Sequence, residues 1–117
     1  RTVELAQLNR LWSEQFLILT PLPGSRTHRE MLDEGRIILH DYSLYDAHHT
    51  VFRPTKVTPA ELMRWQVEGH DKLYTWREAF RRLRMGRIPG AALVLYARSI
   101  NRTWQKVNRK YLETLEG

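Results

Sequence analysis

The stretch FLILTPLPGS, residues 16–25, constrains the fold more than any other part of the chain. Phe16 to Leu19 is a continuous apolar run, too short for a helix and closed by two prolines. Such a run reads as a strand buried on both faces, the kind found in parallel sheets covered by helices. Pro21 and Pro23 each fix φ and remove a backbone donor, so the strand cannot continue as a central one. Gly24 permits a sharp turn, and Ser25 and Thr27 are both candidate helix caps. Thr27-His28-Arg29-Glu30 fits a capping box, and Gly35 is a suitable stop, so 16–34 reads as strand, turn, helix. In parallel α/β folds ligands gather at this carboxyl end of the strands.

The flanks extend this pattern. Val3, Leu5, Ala6, Leu8 and Leu11 recur at helical spacing and predict a short helix over 2–11, or the end of one. Residues 36–57 form a long segment rich in Tyr and His, in which Ile37–Leu39 and Thr50–Phe52 suit short strands or extended packing pieces. Thr58-Pro59-Ala60-Glu61 is a capping box with Pro at the first helical position. From it, Leu62, Trp65, Gly69, Leu73, Trp76, Phe80 and Leu83 make one stripe, predicting a helix to about Met85, closed by Gly86 and Pro89. Gly90–Glu116 repeats the rhythm with Leu93, Tyr96, Ala97, Ile100, Trp104, Val107, Tyr111 and Leu115. The short connection makes the two helices antiparallel. Their expected core contains Trp65, Leu73, Trp76, Phe80, Leu93, Ile100 and Trp104. The fold class is thus mainly α with a short buried strand, an α+β fragment ending in an antiparallel helical hairpin. It divides into 1–35 (helix, strand, helix), 36–57 (ordered loop) and 58–117 (hairpin).

Composition narrows the chemistry. The 117 residues include no cysteine, which removes thiolate metal sites, cysteine nucleophiles and Cys-held iron–sulfur clusters from this chain. No apolar run approaches the roughly 18 residues of a membrane span, and a cytoplasmic location is expected. The chain opens at Arg1 inside what reads as a helix, which suggests a piece of a longer protein. The net charge of +6 is uneven: seven basic residues balance seven acidic ones in 1–57, whereas twelve face six in 58–117. Arg77, Arg81, Arg82, Arg84 and Arg87, then Arg98, Arg102, Lys106, Arg109 and Lys110, would form a basic ridge on the hairpin. Such a ridge is either a solvated face or a site for an acidic partner.

The motifs FLILTPLPGS, EGRI (34–37), DYSLYDAHHTVFRP (41–54) and TPAELMR (58–64) together resemble the C-terminal part of radical SAM enzymes that carry an N-terminal cobalamin-binding domain. The resemblance covers roughly residues 1–64. Ser25 stands where Thr is usual and Tyr42 where Trp is common. The CxxxCxxC loop of that family is missing. The resemblance implies the last piece of a partial (β/α) barrel and a helical extension, in a parent protein using a 4Fe-4S cluster and SAM, with cobalamin use left open. It implies that Thr20, Pro21, Pro23, Gly24 and Ser25 line the cavity near SAM or substrate. It also matches His49 to a recurring histidine, which would contact either the loop or the substrate.

From the residues alone, those five positions also make a structural turn with a helix cap, and Tyr42, Tyr45 and Phe52 either line a hydrophobic pocket, with Tyr45 beside His49 as a loop contact, or fill a core under the long loop. His48 and His49 are adjacent and diverge if extended, so no metal site is expected. The expected role is therefore to shape and cover an active-site cavity, without catalysis by this chain alone. The partners would be the remainder of its own polypeptide, a second copy, or an anionic membrane surface. The alternative is a stand-alone basic helical module binding nucleic acid or an anionic membrane from a membrane-peripheral position.

Overall fold

The computed structural model describes residues 2–8 and 13–117. The fold is mainly α: α1 Thr2–Leu8, α2 Arg26–Asp33, α3 Pro59–Leu73, α4 Trp76–Arg84, α5 Ile88–Val107 and α6 Arg109–Glu116, with a 3-10 turn at Tyr42–Leu44. The predicted helix over 2–11 is seen as α1, and its positions 9–11 lie outside the described residues. The chain forms two compact units. One joins the described residues up to Phe16 to Val67–Lys110, and the other joins Leu17–Gln66 to Tyr111–Gly117.

The expected single helix 58–85 is two helices, α3 and α4. Thr75 begins α4 as its N-cap, its hydroxyl accepting from the Glu78 N–H at 3.2 Å. Thr75-Trp76-Arg77-Glu78 is a capping sequence that a stripe carried past Leu73 overlooks. The break resets the helical phase. Ala79, not Trp76 or Phe80, enters the core, where it joins Ala6, Leu73, Tyr74 and Val94. Trp76 and Phe80 are 62% and 64% exposed. Trp65 and Ile100 are also exposed, and Leu93 and Trp104 are half-buried, so of the expected core set only Leu73 is buried.

The α4–α5 hairpin is antiparallel, as its contacts require. The Arg82 guanidinium on α4 reaches the Gly90 carbonyl (3.3 Å), while Arg98, two turns further along α5, reaches back to the Tyr74 carbonyl (3.2 Å). Its turn is a Schellman motif: the Arg87 N–H bonds to the Arg82 carbonyl and the Gly86 N–H to that of Leu83, both at 2.9 Å, with Gly86 at φ +70°. Asp71 at the end of α3 accepts from Asn101 (2.8 Å) and Gln105 (3.1 Å) of α5. The second long helix also breaks, at Asn108, whose backbone and side-chain N–H groups both bond to the Trp104 carbonyl. Gly69 has a packing reason: a Cβ there would lie 2.7 Å from the Phe16 ring.

In the second unit, the expected strand at 16–19 is not regular secondary structure. Ile18 alone of Leu17–Leu19 is buried. The β-type pairing present among the described residues is an antiparallel bridge between Ile37 and Phe52, with the Ile38 N–H bonded to the Val51 carbonyl and the Arg53 N–H to that of Arg36. A buried strand needs neighbours along both edges, and these described residues supply a bridge elsewhere and no sheet. The cap of α2 is Ser25, whose hydroxyl accepts from the His28 N–H at 3.1 Å, rather than Thr27. Glu30, assigned to the Thr27 box, pairs instead with Arg26. The stop at Gly35 (φ +64°) holds and is a second Schellman motif, with Gly35 N–H to Leu32 and Arg36 N–H to Met31. The Thr58–Glu61 capping box closes reciprocally, at 2.8 and 3.1 Å.

Two substitutions test this packing. Trp76→Ala should change stability by no more than about 0.5 kcal/mol, as expected at an exposed position. Gly69→Ala should be net destabilising by about 1 kcal/mol, because overpacking against Phe16 outweighs the better helix propensity of Ala. Chemical denaturation reads both, and a gain from Gly69→Ala would contradict the close approach.

Candidate functional site

The TPLPGS segment is a turn feeding a helix. Pro21 is fully buried, and Pro23 and Gly24 are exposed. The Ser25 N–H bonds to the Leu22 carbonyl at 3.0 Å, and Gly24 sits at φ +85°. Pro at the second position and a positive-φ Gly at the third are what a type II turn requires. Thr20 turns inward on itself, its hydroxyl donating to the Ile18 carbonyl (3.3 Å). Ser25 caps α2, and Arg29 donates to the Gly24 carbonyl (3.2 Å).

This segment meets the His-rich loop. The Ile18 N–H donates to the Ala47 carbonyl at 2.8 Å. Ala47 itself is at φ +64°, a conformation that costs a non-glycine residue on the order of 1–2 kcal/mol. The local cause is Asp46. Its carboxylate accepts from the backbone N–H groups of His48 (2.9 Å) and His49 (3.0 Å), and from His49 Nδ1 at 3.0 and 2.9 Å. Burial works against the charged carboxylate, but these bonds, led by the one from the His48 N–H, hold the Asp46 pKa below the ordinary range.

The loop's side chains form one cluster. The buried His49 ring meets the Tyr111 ring edge-on at 5.0 Å, and the Tyr111 hydroxyl donates to the Thr50 carbonyl at 2.9 Å. Burial first, then the negative charge of Asp46, raises the Tyr111 pKa. Gln66 donates to His48 Nδ1 at 2.9 Å. Tyr45 is buried, donates to the Leu39 carbonyl (2.8 Å) and packs edge-on against Tyr42 at 5.2 Å. Its pKa too is raised, chiefly by burial. His28, carried by α2, lies beside both tyrosine rings, and its buried Nε2 has no hydrogen-bond partner among the described residues. The same is true of the buried Thr50 hydroxyl.

This arrangement orients and rigidifies. A carboxylate fixing an imidazole resembles the orienting half of a general-base pair, yet His49 is almost wholly buried against Tyr111. The geometry makes it a strut. No three His, Asp or Glu side chains among the described residues converge as a metal set. Sequence reasoning named Tyr45 and His49 but missed Tyr111, His28 and Gln66 as their neighbours. Tyr111 lies 61 residues from its acceptor Thr50, so no local spacing announces it.

The basic residues divide by role. Glu78 pairs with Arg81 (2.6 Å) and Arg82 (2.7 Å), and Arg82 is largely buried. These bonds, the one from Arg81 foremost, hold the Glu78 pKa low against its burial. Arg98 is tied to the Tyr74 carbonyl. Arg77, Arg84 and Arg102 are exposed.

No family model and no solved structure matches the chain. Among curated proteins it is similar to the bacteriochlorophyllide d C-8(2)-methyltransferase of Chlorobaculum tepidum, at 28% identity over 76 residues. The matched stretch is 65% of this chain and 17% of that protein, so the chain spans a minor part of the relative's length.

The pKa directions predict an acid limb. The Asp46 pKa is depressed by folding, so its stabilisation is complete above the unfolded value near 4 and is lost as pH falls through the lower folded value. Near-UV circular dichroism of the tyrosines should therefore fade in acid. Asp46→Asn should weaken the signal already at neutral pH and remove part of its acid dependence. An unchanged profile in the variant would rule out this role for Asp46.

Proposed function

We propose that this chain is the C-terminal part of a radical SAM methyltransferase, in which the Thr20–Ser25 turn shapes a wall of the active-site cavity and the 40–54 loop covers it. The observation that carries this reading is the similarity to a methyltransferase, which coincides in class with the family resembled by TPLPGS, DYSLYDAHHTVFRP and TPAELMR. The bond from Ile18 to Ala47 supports it further, because it couples the turn segment to the loop.

The donor set of this chain does not fit an iron–sulfur cluster. Such a cluster is held by thiolates, and the chain has no cysteine. Cluster, SAM and any cobalamin would be held by other parts of the parent protein, and no chemical step is assigned to residues here. What these residues supply is position. A turn with fixed φ values and a loop pinned by Asp46 keep their shape while substrate enters, and a closed cover excludes water from reactive intermediates.

The test uses the whole protein that contains this chain. Gly24→Val should lower the rate of methylated product formation by about tenfold or more, since small misplacements near a reacting centre are costly. Iron and sulfide content should stay near that of the wild type. Open space surrounds the Gly24 Cβ position, so the effect would come from the positive φ and not from a clash. Intact turnover would contradict the cavity-wall role. Cluster binding by the 117-residue chain alone would contradict the division of labour.

A further inference from the structure

Two side chains expected in the core of the hairpin, Trp76 and Phe80, lie on its surface with other apolar groups. Trp76, Phe80, Leu83, Met85 and Ile88 are all exposed, Ile88 at 67%. At 3.6 residues per turn Trp76, Phe80 and Leu83 share one stripe of α4, away from the glutamate-bearing side. The Schellman turn then brings the chain round at Gly86, so Ile88 stands at the tip of the same hairpin, whereas Met85 falls on the Glu78 side with its sulfur 3.5 Å from the Arg81 guanidinium. Grouped apolar exposure of this kind marks an interaction surface, whereas single exposed residues do not.

The cations of this region fall into two sets. Arg81 and Arg82 are engaged by Glu78, the one acidic residue between 76 and 88. The side chains of Arg77, Arg84 and Arg87 make no ion pair or hydrogen bond among the described residues, and all three residues are exposed. By helical geometry Arg84 and Arg77 fall on the flank of the stripe next to Phe80. Two unengaged guanidinium groups thus border an aromatic and aliphatic stripe that the fold does not cover, and Arg87 adds a third in the turn that follows α4.

We propose that this face docks on the surface of an anionic lipid bilayer. Trp76, Phe80, Leu83 and Ile88 would enter the boundary between headgroups and acyl chains, and Arg77, Arg84 and Arg87 would bind lipid phosphates. A bilayer surface offers both layers in this order: an anionic one, and an apolar one beneath it. A nucleic acid would use the arginines and could stack on Trp76 and Phe80, but it leaves Leu83 and Ile88 in water. A second copy seated symmetrically would set free arginines against free arginines. The contact is in-plane, since no helix among the described residues is long and apolar enough to cross a membrane. The proposal is independent of the cavity-wall reading.

The experiment is co-sedimentation of the chain with vesicles of phosphatidylcholine alone and of phosphatidylcholine mixed with phosphatidylglycerol, with tryptophan emission recorded in parallel. Binding is expected on the mixed vesicles only, weaker in high salt, with a blue shift that Trp76→Phe removes while leaving the bound fraction intact. Arg77→Gln/Arg84→Gln/Arg87→Gln should lower partitioning by about a hundredfold. Phe80→Ser/Leu83→Ser should lower it by at least about tenfold. Both sets are exposed, so far-UV circular dichroism should stay native and separates lost docking from lost folding. The proposal is overturned by equal binding to phosphatidylcholine alone, or by no binding to either vesicle. It is equally overturned if single-stranded RNA is bound in preference to mixed vesicles, or if the chain forms a dimer that Phe80→Ser/Leu83→Ser dissolves.

Discussion

The Asp46 carboxylate is the contact on which the unit built from Leu17–Gln66 depends. It accepts from two consecutive backbone N–H groups and from the His49 ring, within a span of four residues. Those bonds offset the cost of holding Ala47 in the left-handed region, and that conformation presents the Ala47 carbonyl to the Ile18 N–H. The orientation given to His49 sets its ring against Tyr111, and Tyr111 in turn bonds to the Thr50 carbonyl. A charged acceptor with several donors is worth more than neutral pairs, and it would be costly to leave any of them unpaired. The loop is long, yet it behaves as a built element.

This explains why the sequence was readable in some places and not in others. Signals confined to four or six residues read correctly: the Thr58–Glu61 box, the stops at Gly35 and Gly86, the sharp turn at Gly24. Each depends on backbone geometry that neighbours dictate. The helix stripe failed at Trp65, exposed within α3, and again beyond Leu73, where the cap at Thr75 shifts the phase of α4. Thr27 lost to Ser25 because two hydroxyls compete for one helix start, and the turn closed by Ser25 N–H to Leu22 decides between them. The strand at Phe16–Leu19 depended on partners that local pattern cannot supply. The Tyr111 contact was silent for the same reason.

The two units use their polar groups differently. Around Asp46 nearly every polar group is spent on the fold itself, with His28 Nε2 and the Thr50 hydroxyl the buried exceptions. On α4 the reverse holds: apolar area and arginines are left in water although Ala79 and Val94 already form the hairpin contact. A sequence pattern that looks like core at 3–4 spacing can thus be surface, and for Trp76 and Phe80 the difference is a capped break in the helix.

Amide hydrogen exchange at Ile18 tests the central claim most directly, because that N–H bonds to the one carbonyl whose direction Asp46 sets. In Asp46→Asn, Ile18 should exchange about tenfold faster or more, while Gly86, in the α4 turn, keeps its wild-type rate. Unchanged protection at Ile18 would contradict the claim that Asp46 holds the turn segment against the loop.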